Sequence, residues 1–227
     1  MTVLPGALWA RMYERINAKA EAAGLGEERR RLLAEARGAT VEIGAGTGLN
    51  VAYYPAELER LVLVEPDAHM AARLERRVRE QRPEAEIVNA RAEDLPFPDG
   101  AFDTAAVTFV LCTVRSPGKA LAEIRRVLRP EGRFLFLEHV RSGDQRLARK
   151  QDRMRPFYPA LIDCEPNRET LTTIASSGFA VESLRQGAVP AVPAVERPMI
   201  VGSAYLGEEG ECGVDDHRRR RPGTRSL

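Results

Sequence analysis

The stretch Val41-Glu42-Ile43-Gly44-Ala45-Gly46-Thr47-Gly48 runs from apolar residues and an acid into three alternating glycines. Glycines at 44, 46 and 48 let a backbone turn sharply and approach a ligand with no Cβ in the way. A strand-to-helix turn that merely needs glycine reads the same, so the triplet alone decides little. About twenty residues later, Leu61-Val62-Leu63-Val64-Glu65 is a second apolar run that ends in a carboxylate. An acid there can accept hydrogen bonds from both ribose hydroxyls of a nucleoside lying over a sheet edge. A third element, Ala92-Glu93-Asp94-Leu95-Pro96-Phe97, offers backbone amides from Ala92 onward and the Glu93 carboxylate to an adenine edge, with Asp94 a solvated neighbour. The dinucleotide fingerprint G-x-G-x-x-G requires glycine at 49, where this chain has Leu49. The expected ligand is a nucleoside without a pyrophosphate.

These residues need elements to hold them. Short apolar runs at Thr40–Ile43, Arg60–Val64, Glu86–Val88, Thr104–Val110 and Arg133–Leu137 alternate with helical patterns, chiefly Ala68–Glu80 and Gly118–Leu128. Such alternation predicts βαβ units and a parallel sheet covered on both faces. Asp99-Gly100 and Arg129-Pro130-Glu131-Gly132 are turn signals before the fourth and fifth strands. Two amphipathic stretches, Pro5 to Ala23 and Glu27 to Arg37, precede the sheet, with Leu8, Met12, Ile16 and Ala20 spaced four apart and Gly24 and Gly26 as the break. After His139 the pattern loosens into a polar, Arg-rich stretch to Ile162. A helix at Arg168–Ser177 then leads to strand-like runs Ala180–Leu184 and Met199–Tyr205. The arginines of the Ala68–Glu80 helix, Arg73, Arg76, Arg77 and Arg79, are expected on a solvated face.

The order VEIGAGTG, VEPD, AEDLPFPDGAFD, LRPEGRFLFLEH resembles the class I methyltransferases, from about Thr40 to Tyr205. Within that class the chain is similar to the methyltransferase-like-seven group of thiol S-methyltransferases and their bacterial relatives. Gly48-Leu49-Asn50 with Tyr54-Pro55, Val110 to Val114, Glu138-His139-Val140, Cys164 with Asn167 to Thr170, and Arg197-Pro198 carry that likeness. Ala45, Arg91, Asp163 and Glu165 depart from the group's pattern, as does the lack of a hydrophobic N-terminal anchor. The resemblance implies an α/β, doubly wound Rossmann-like sheet of seven strands, mostly parallel with a C-terminal antiparallel hairpin strand. It implies residues 1–39 packing on or capping the active site, a methyltransferase domain at 40–206 with a substrate-facing insertion at 140–168, and a disordered charged tail at 207–227. The cofactor implied is S-adenosylmethionine, which has no phosphate and whose ammonium an acid such as Glu42 can approach directly or through water. Expected cofactor contacts are Glu42, Gly44, Gly46, Gly48, Asn50, Glu65, Ala92, Glu93, Phe109 and Val110.

A sulfonium methyl is already activated, so the expected work is alignment and exclusion of water. The acceptor expected is a thiol or a similarly soft apolar nucleophile. The alternatives are an N-, O- or C-methyltransferase for a lipid amine, quinone precursor or secondary metabolite, and a non-catalytic S-adenosylmethionine-binding protein. In a doubly wound fold the acceptor lies beyond the carboxyl ends of the strands. His139 is the catalytic candidate, as base or orienting donor, with a structural histidine tying a loop to the sheet as the other reading. Cys112, Phe157, Tyr158, Cys164 and Arg168 are the acceptor candidates. Four of them have a plain structural alternative: buried packing for Cys112, packing of the insertion for Phe157 and Tyr158, capping or an ion pair with Glu165 or Glu169 for Arg168.

Composition limits the rest. Net charge is +1, so no global field selects nucleic acid or an acidic membrane. The HRRRR run at 217–221 follows acidic residues and reads as a solubilising tail. Cys112, Cys164 and Cys212 lack CxxC spacing, which argues against a disulfide framework and a zinc site, so no metal is expected. No apolar run approaches the ~20 residues that span a bilayer. A monomeric cytoplasmic enzyme acting on a small molecule is expected, with peripheral membrane contact left open.

Overall fold

A computed structural model describes residues 6–158 and 164–207. Among these, seven strands form one sheet in the order β3-β2-β1-β4-β5-β7-β6. The strands are β1 (Ala39–Ile43), β2 (Arg60–Val64), β3 (Glu86–Val88), β4 (Phe102–Thr108), β5 (Leu128–His139), β6 (Phe179–Ala188) and β7 (Pro198–Leu206). β1 to β5 are mutually parallel, and β7 lies antiparallel between β5 and β6. The expected doubly wound sheet with its antiparallel C-terminal hairpin is the fold observed. Strand order reverses at β1 and β4, and the crevice outside their carboxyl ends is where such sheets take ligands.

Both faces are covered, which is why the strands read as continuous apolar runs. Val41, Ile43, Val62, Val64, Ala105 and Val107 pack under α4 (Pro117–Val127) on one face. Leu61, Leu63, Ala106 and Leu135 pack under α2 (Gly26–Leu33) and α3 (Ala68–Gln81) on the other. Asp67 caps α3 by accepting from the His69 and Met70 amides, a contact that typically stabilises a helix by ~1 kcal/mol.

Ahead of the sheet, α1 (Gly6–Ala20) joins α2 through one π turn, Glu21–Leu25. The break falls at Gly24, whose φ of 122° suits glycine. α2 stops at Leu33 rather than Arg37. The apolar stripe expected on α1 is only partly buried: Ala20 is inside, whereas Leu8 and Ile16 are exposed. An ion pair steers the helix instead. Glu14 pairs with Arg73 and Arg77 of α3, so those two arginines are half-buried rather than free in solvent.

Three further boundaries differ for local reasons. β4 ends at Thr108 rather than Val110, because Phe109 turns to φ 59° and leaves the ladder. β5 starts early: Leu128 pairs with Phe102, and the Arg129 to Gly132 turn becomes an irregularity before Arg133 pairs with Thr104. The stretch after His139 holds a helix, α5 (Gln145–Met154), that its polar sequence conceals. Asp144 caps it through the Arg146 and Leu147 amides, and its inward face is Ala148 and Gln151 rather than large apolar residues. α6 (Thr170–Ser176) precedes the final hairpin. The tail expected beyond Gly207, with the HRRRR run and Cys212, lies outside the described residues, as does Asp163. No helix among the described residues is long and apolar enough to cross a membrane.

Candidate active site

The glycine loop leaves β1 with Gly44, Gly46 and Gly48 at φ 71°, 57° and 84°. Gly44 is held to its residue type twice, since a Cβ there would stand 2.6 Å from Val110 Cγ2. At Gly46 a Cβ would meet nothing within 4 Å, so the loop faces open space at that point. Glu65, at the end of β2, accepts from the Gly46 amide at 2.8 Å through Oε2 and from the Asp67 amide at 2.9 Å through Oε1. Burial raises its pKa while those amides pull it back. Each oxygen keeps a lone pair for a hydroxyl donor.

Glu42 sits beneath the loop, 1% exposed. Asn50 donates to its Oε1 at 2.6 Å and Tyr54 to its Oε2 at 2.9 Å. Burial raises this carboxyl, and the Asn50 and Tyr54 bonds and the Arg29 charge partly oppose the shift. Glu42 thus lies under the loop with both oxygens already engaged. Asn50 is the hub of the network. It also donates to Thr108 Oγ1 at 2.9 Å and accepts from Arg29 Nη1 at 3.0 Å. Arg29, on α2 and 1% exposed, further donates to Thr108 Oγ1 at 2.8 Å and to Glu21 at 2.8 Å, and lies over the Phe109 ring. A cation this deep locks the N-terminal helices to the cofactor end of the sheet.

The ends of β4 and β5 are organised by Glu138. Its carboxylate, wholly buried, accepts from the amides of Val110 at 2.7 Å, Leu111 at 2.9 Å and Cys112 at 3.2 Å. Burial pushes it up to about 7 against those three donors. This holds Val110 against Gly44 and keeps Phe109 in a left-handed conformation that costs a bulky residue ~1–3 kcal/mol.

His139 closes β5. Its Nδ1 lies 3.8 Å from Cys112 Sγ and 3.4 Å from Cys164 Sγ, and Phe109 packs on its ring at 4.4 Å between centroids. Burial lowers the imidazole, but Cys164, Glu138 and Glu196 together outweigh it and the net shift is upward. The hydrogen bond from Cys112 and the adjacent imidazole hold the Cys164 thiol down, while burial pushes Cys112 up. His139 Nε2 is buried with no partner among the described residues. Nδ1 thus faces two sulfurs, while Nε2 is the ring nitrogen left unengaged among the described residues. Cys112, His139 and Cys164, ligand-type residues far apart in sequence, converge here because strand ends and one loop meet.

The remaining candidates separate. Tyr158 is buried within electrostatic reach of Cys164 and Glu196, and burial raises its phenol. Phe157 is 61% exposed, so the pair does not form one apolar wall. Arg168 is structural: it donates to the carbonyls of Leu111 and, at 2.8 Å, Val114, and pairs with Glu165 at 3.1 Å, leaving little for a substrate anion. Glu93 accepts from the Arg115 and Ser116 amides at 3.1 and 3.3 Å, bracing the loop before α4, with Ala92 buried beside it and Asp94 exposed.

Sequence reasoning missed Arg29 and Gln151. Arg29 shares a helix face with Leu25, Leu32 and Leu33, so a charge in an apolar stripe was the available signal. Gln151 links Val140, Pro166 and Val195 carbonyls to the insertion, and its surroundings give no such signal. Tyr13 of α1, its phenol raised by burial, feels the charges of Arg29, Cys112, Glu21 and Glu65 and so borders the same site.

A doubly wound sheet with a glycine loop and an acid at its switch point is an arrangement that takes nucleoside-type ligands, and comparison with known proteins narrows the class. Residues 41–136 match the family described as "Methyltransferase domain". Human thiol S-methyltransferase TMT1B is 41% identical over 105 residues, 45% of this chain and 43% of that protein. Human thiol S-methyltransferase TMT1A is 31% identical over 169 residues, 72% of this chain and 69% of that protein. A ubiquinone/menaquinone biosynthesis C-methyltransferase, UbiE of Hahella chejuensis, is 53% identical over 53 residues, 23% of this chain and 21% of that protein. The chain thus spans under half of TMT1B and about two thirds of TMT1A. The fold is shared with a solved methyltransferase of Thermotoga maritima, described as a possible histamine N-methyltransferase, at TM-score 0.65 and 24% identity, over 88% of this chain and 97% of that one. The chain belongs to the S-adenosylmethionine-dependent methyltransferases.

Proposed function

We propose that this chain methylates a small thiol, or a similarly soft apolar nucleophile, on sulfur. The observation that carries this reading is the extent of likeness to the thiol S-methyltransferases. The TMT1A match runs over 169 residues, well beyond the methyltransferase-domain segment at 41–136, whereas the UbiE match covers 53. A likeness confined to a methyl-donor fold says little about the acceptor; one that outruns it favours a shared acceptor. Methyl transfer to the nitrogen, oxygen or carbon of a lipid amine, quinone precursor or secondary metabolite draws on shorter matches, of 53 and 80 residues to UbiE proteins.

The site suits S-adenosylmethionine on three observations: the open space at Gly46, the unfilled acceptor capacity of Glu65, and the buried Thr47 hydroxyl, which has no partner among the described residues. In our reading Glu65 takes the ribose hydroxyls and the Gly44 to Gly48 loop passes along the methionine portion. Glu42, fixed by Asn50, draws the ammonium, Ala92 lends its backbone to adenine, and Phe109 and Val110 form the wall. The cofactor supplies an activated sulfonium methyl, so these residues align it and keep water out. A thiol of pKa ~8.5 is already a few per cent thiolate near neutrality, so little base strength is needed.

The acceptor sulfur is assigned to the strand ends beside Cys112, His139 and Cys164, with Tyr158 nearby. Residues 1–39 serve as the cap through Tyr13 and Arg29, and 140–168 as the acceptor wall, in a monomeric cytoplasmic enzyme. Mass spectrometry after incubation with S-adenosylmethionine and an alkyl thiol tests this. Equal yields of methyl thioether and S-adenosylhomocysteine are expected, and cofactor turnover without thioether refutes the reading.

A further inference from the structure

We propose that Cys112, His139 and Cys164 form a site for zinc or a similarly thiophilic divalent cation, with a fourth position open toward the acceptor. The two sulfurs and Nδ1 all lie within 4.8 Å of one another, with S···N separations of 3.8 and 3.4 Å. Tetrahedral zinc with sulfur at ~2.3 Å and nitrogen at ~2.0–2.1 Å sets those separations at about 3.6 Å, midway between the two observed. Two thiolates with one imidazole suit zinc and cobalt and disfavour magnesium and calcium.

The donors are held in place without the ion. Cys112 rides on the turn fixed by Glu138, and its carbonyl accepts from the Glu165 amide at 2.8 Å, next to Cys164 in sequence. The His139 carbonyl accepts from Thr170 Oγ1 at 3.2 Å, and Phe109 packs against the ring. With Nδ1 on a metal, the proton sits on Nε2, which is buried and has no partner among the described residues. Metal-bound histidines usually donate that proton to a carboxylate, carbonyl or water. No fourth His, Cys, Asp or Glu joins the cluster among the described residues. Three protein ligands with one open position is the arrangement of catalytic rather than structural zinc.

The use of that position rests on the thiol reading above. An acceptor R–SH binds as R–S⁻ and releases its proton to solvent. Its sulfur then forms the bond to the methyl carbon as the carbon–sulfonium bond breaks. The products are the thioether R–S–CH3, a neutral and weaker ligand that leaves, and S-adenosylhomocysteine; the metal keeps its oxidation state.

Cobalt titration of the reduced, chelator-treated full chain tests the site by absorption. Sulfur-to-cobalt charge-transfer bands and intense four-coordinate visible bands should saturate at stoichiometric cobalt and vanish on zinc addition. Cys112→Ser and Cys164→Ser should each remove about half of the charge-transfer intensity, as one of two thiolates is lost. Absence of these bands in the wild-type protein, or unchanged bands in both variants, overturns the site. An alkyl thiol added to the cobalt form should shift the visible bands and add charge-transfer intensity. Cobalt bands that ignore the thiol leave the metal site standing and overturn acceptor coordination. Thiol methylation at full rate by metal-free protein preserves the thiol reading and overturns the metal's part in it.

Discussion

Glu65 Oε2 accepts a 2.8 Å hydrogen bond from the Gly46 amide, tying the acid that ends β2 to the loop that leaves β1. One carboxylate thus shapes the glycine loop and remains able to accept from a nucleoside. Glu65→Ala removes both functions. Hydrogen bonds to a charged group are worth ~1.5–3 kcal/mol each, so S-adenosylmethionine affinity should fall about a hundredfold by titration calorimetry. Gly46→Arg, which fills the open space and strains a positive φ, should abolish measurable binding while the protein still melts cooperatively.

Glu42 sets function against stability. Burial raises its carboxyl above the ordinary 4.5, so the folded state binds more protons than the unfolded chain between those two values. The stability this gives is fully present below 4.5 and is lost as pH rises through the raised value. Glu42→Gln, which cannot ionise, should therefore gain melting temperature relative to wild type as pH increases toward neutrality. Its affinity for S-adenosylmethionine should nonetheless drop about tenfold, since the buried charge that draws the ammonium is gone. A difference in melting temperature that moves the opposite way with pH contradicts the assignment.

Arg29 connects Glu21, Asn50 and Thr108 across the junction of α2 and the sheet. Removing one partner of a buried ionic network typically costs ~3–5 kcal/mol. Arg29→Ala should show that loss in urea denaturation, and Arg29→Lys should recover only part of it, because an ammonium cannot reach the same set of acceptors in one plane.

Glu138 holds three amides that have no other partner in the turn. Glu138→Ala strands them in the interior, at a cost of ~2–4 kcal/mol, and releases Phe109 from its left-handed conformation. Amide hydrogen exchange at Val110 to Cys112 should accelerate far more than exchange in β1.

The sheet and the glycine loop were legible because their signals are local. Continuous apolar strands, a glycine triplet and an acid at a strand end each fit within a few residues, and their alternation with helical patterns predicts the mostly parallel sheet observed. What stayed hidden depends on distant residues. Cys112, His139 and Cys164 have no spacing that suggests ligands; only the meeting of β4, β5 and the loop before α6 brings them together. Arg168 reads as a substrate contact or an ion-pair partner; its Glu165 pair is local, whereas its carbonyl partners, Leu111 and Val114, lie far back in the chain. α5 escaped notice because Gln151 and Ala148 fill the place of a large apolar stripe.

The most direct measurement is a competition in one tube: methyl-labelled S-adenosylmethionine with a thiol, a primary amine and a phenol on matched carbon skeletons. The account predicts label in the thioether at many times its level in the amine and phenol products. Label in the amine or phenol with the thiol untouched would contradict it.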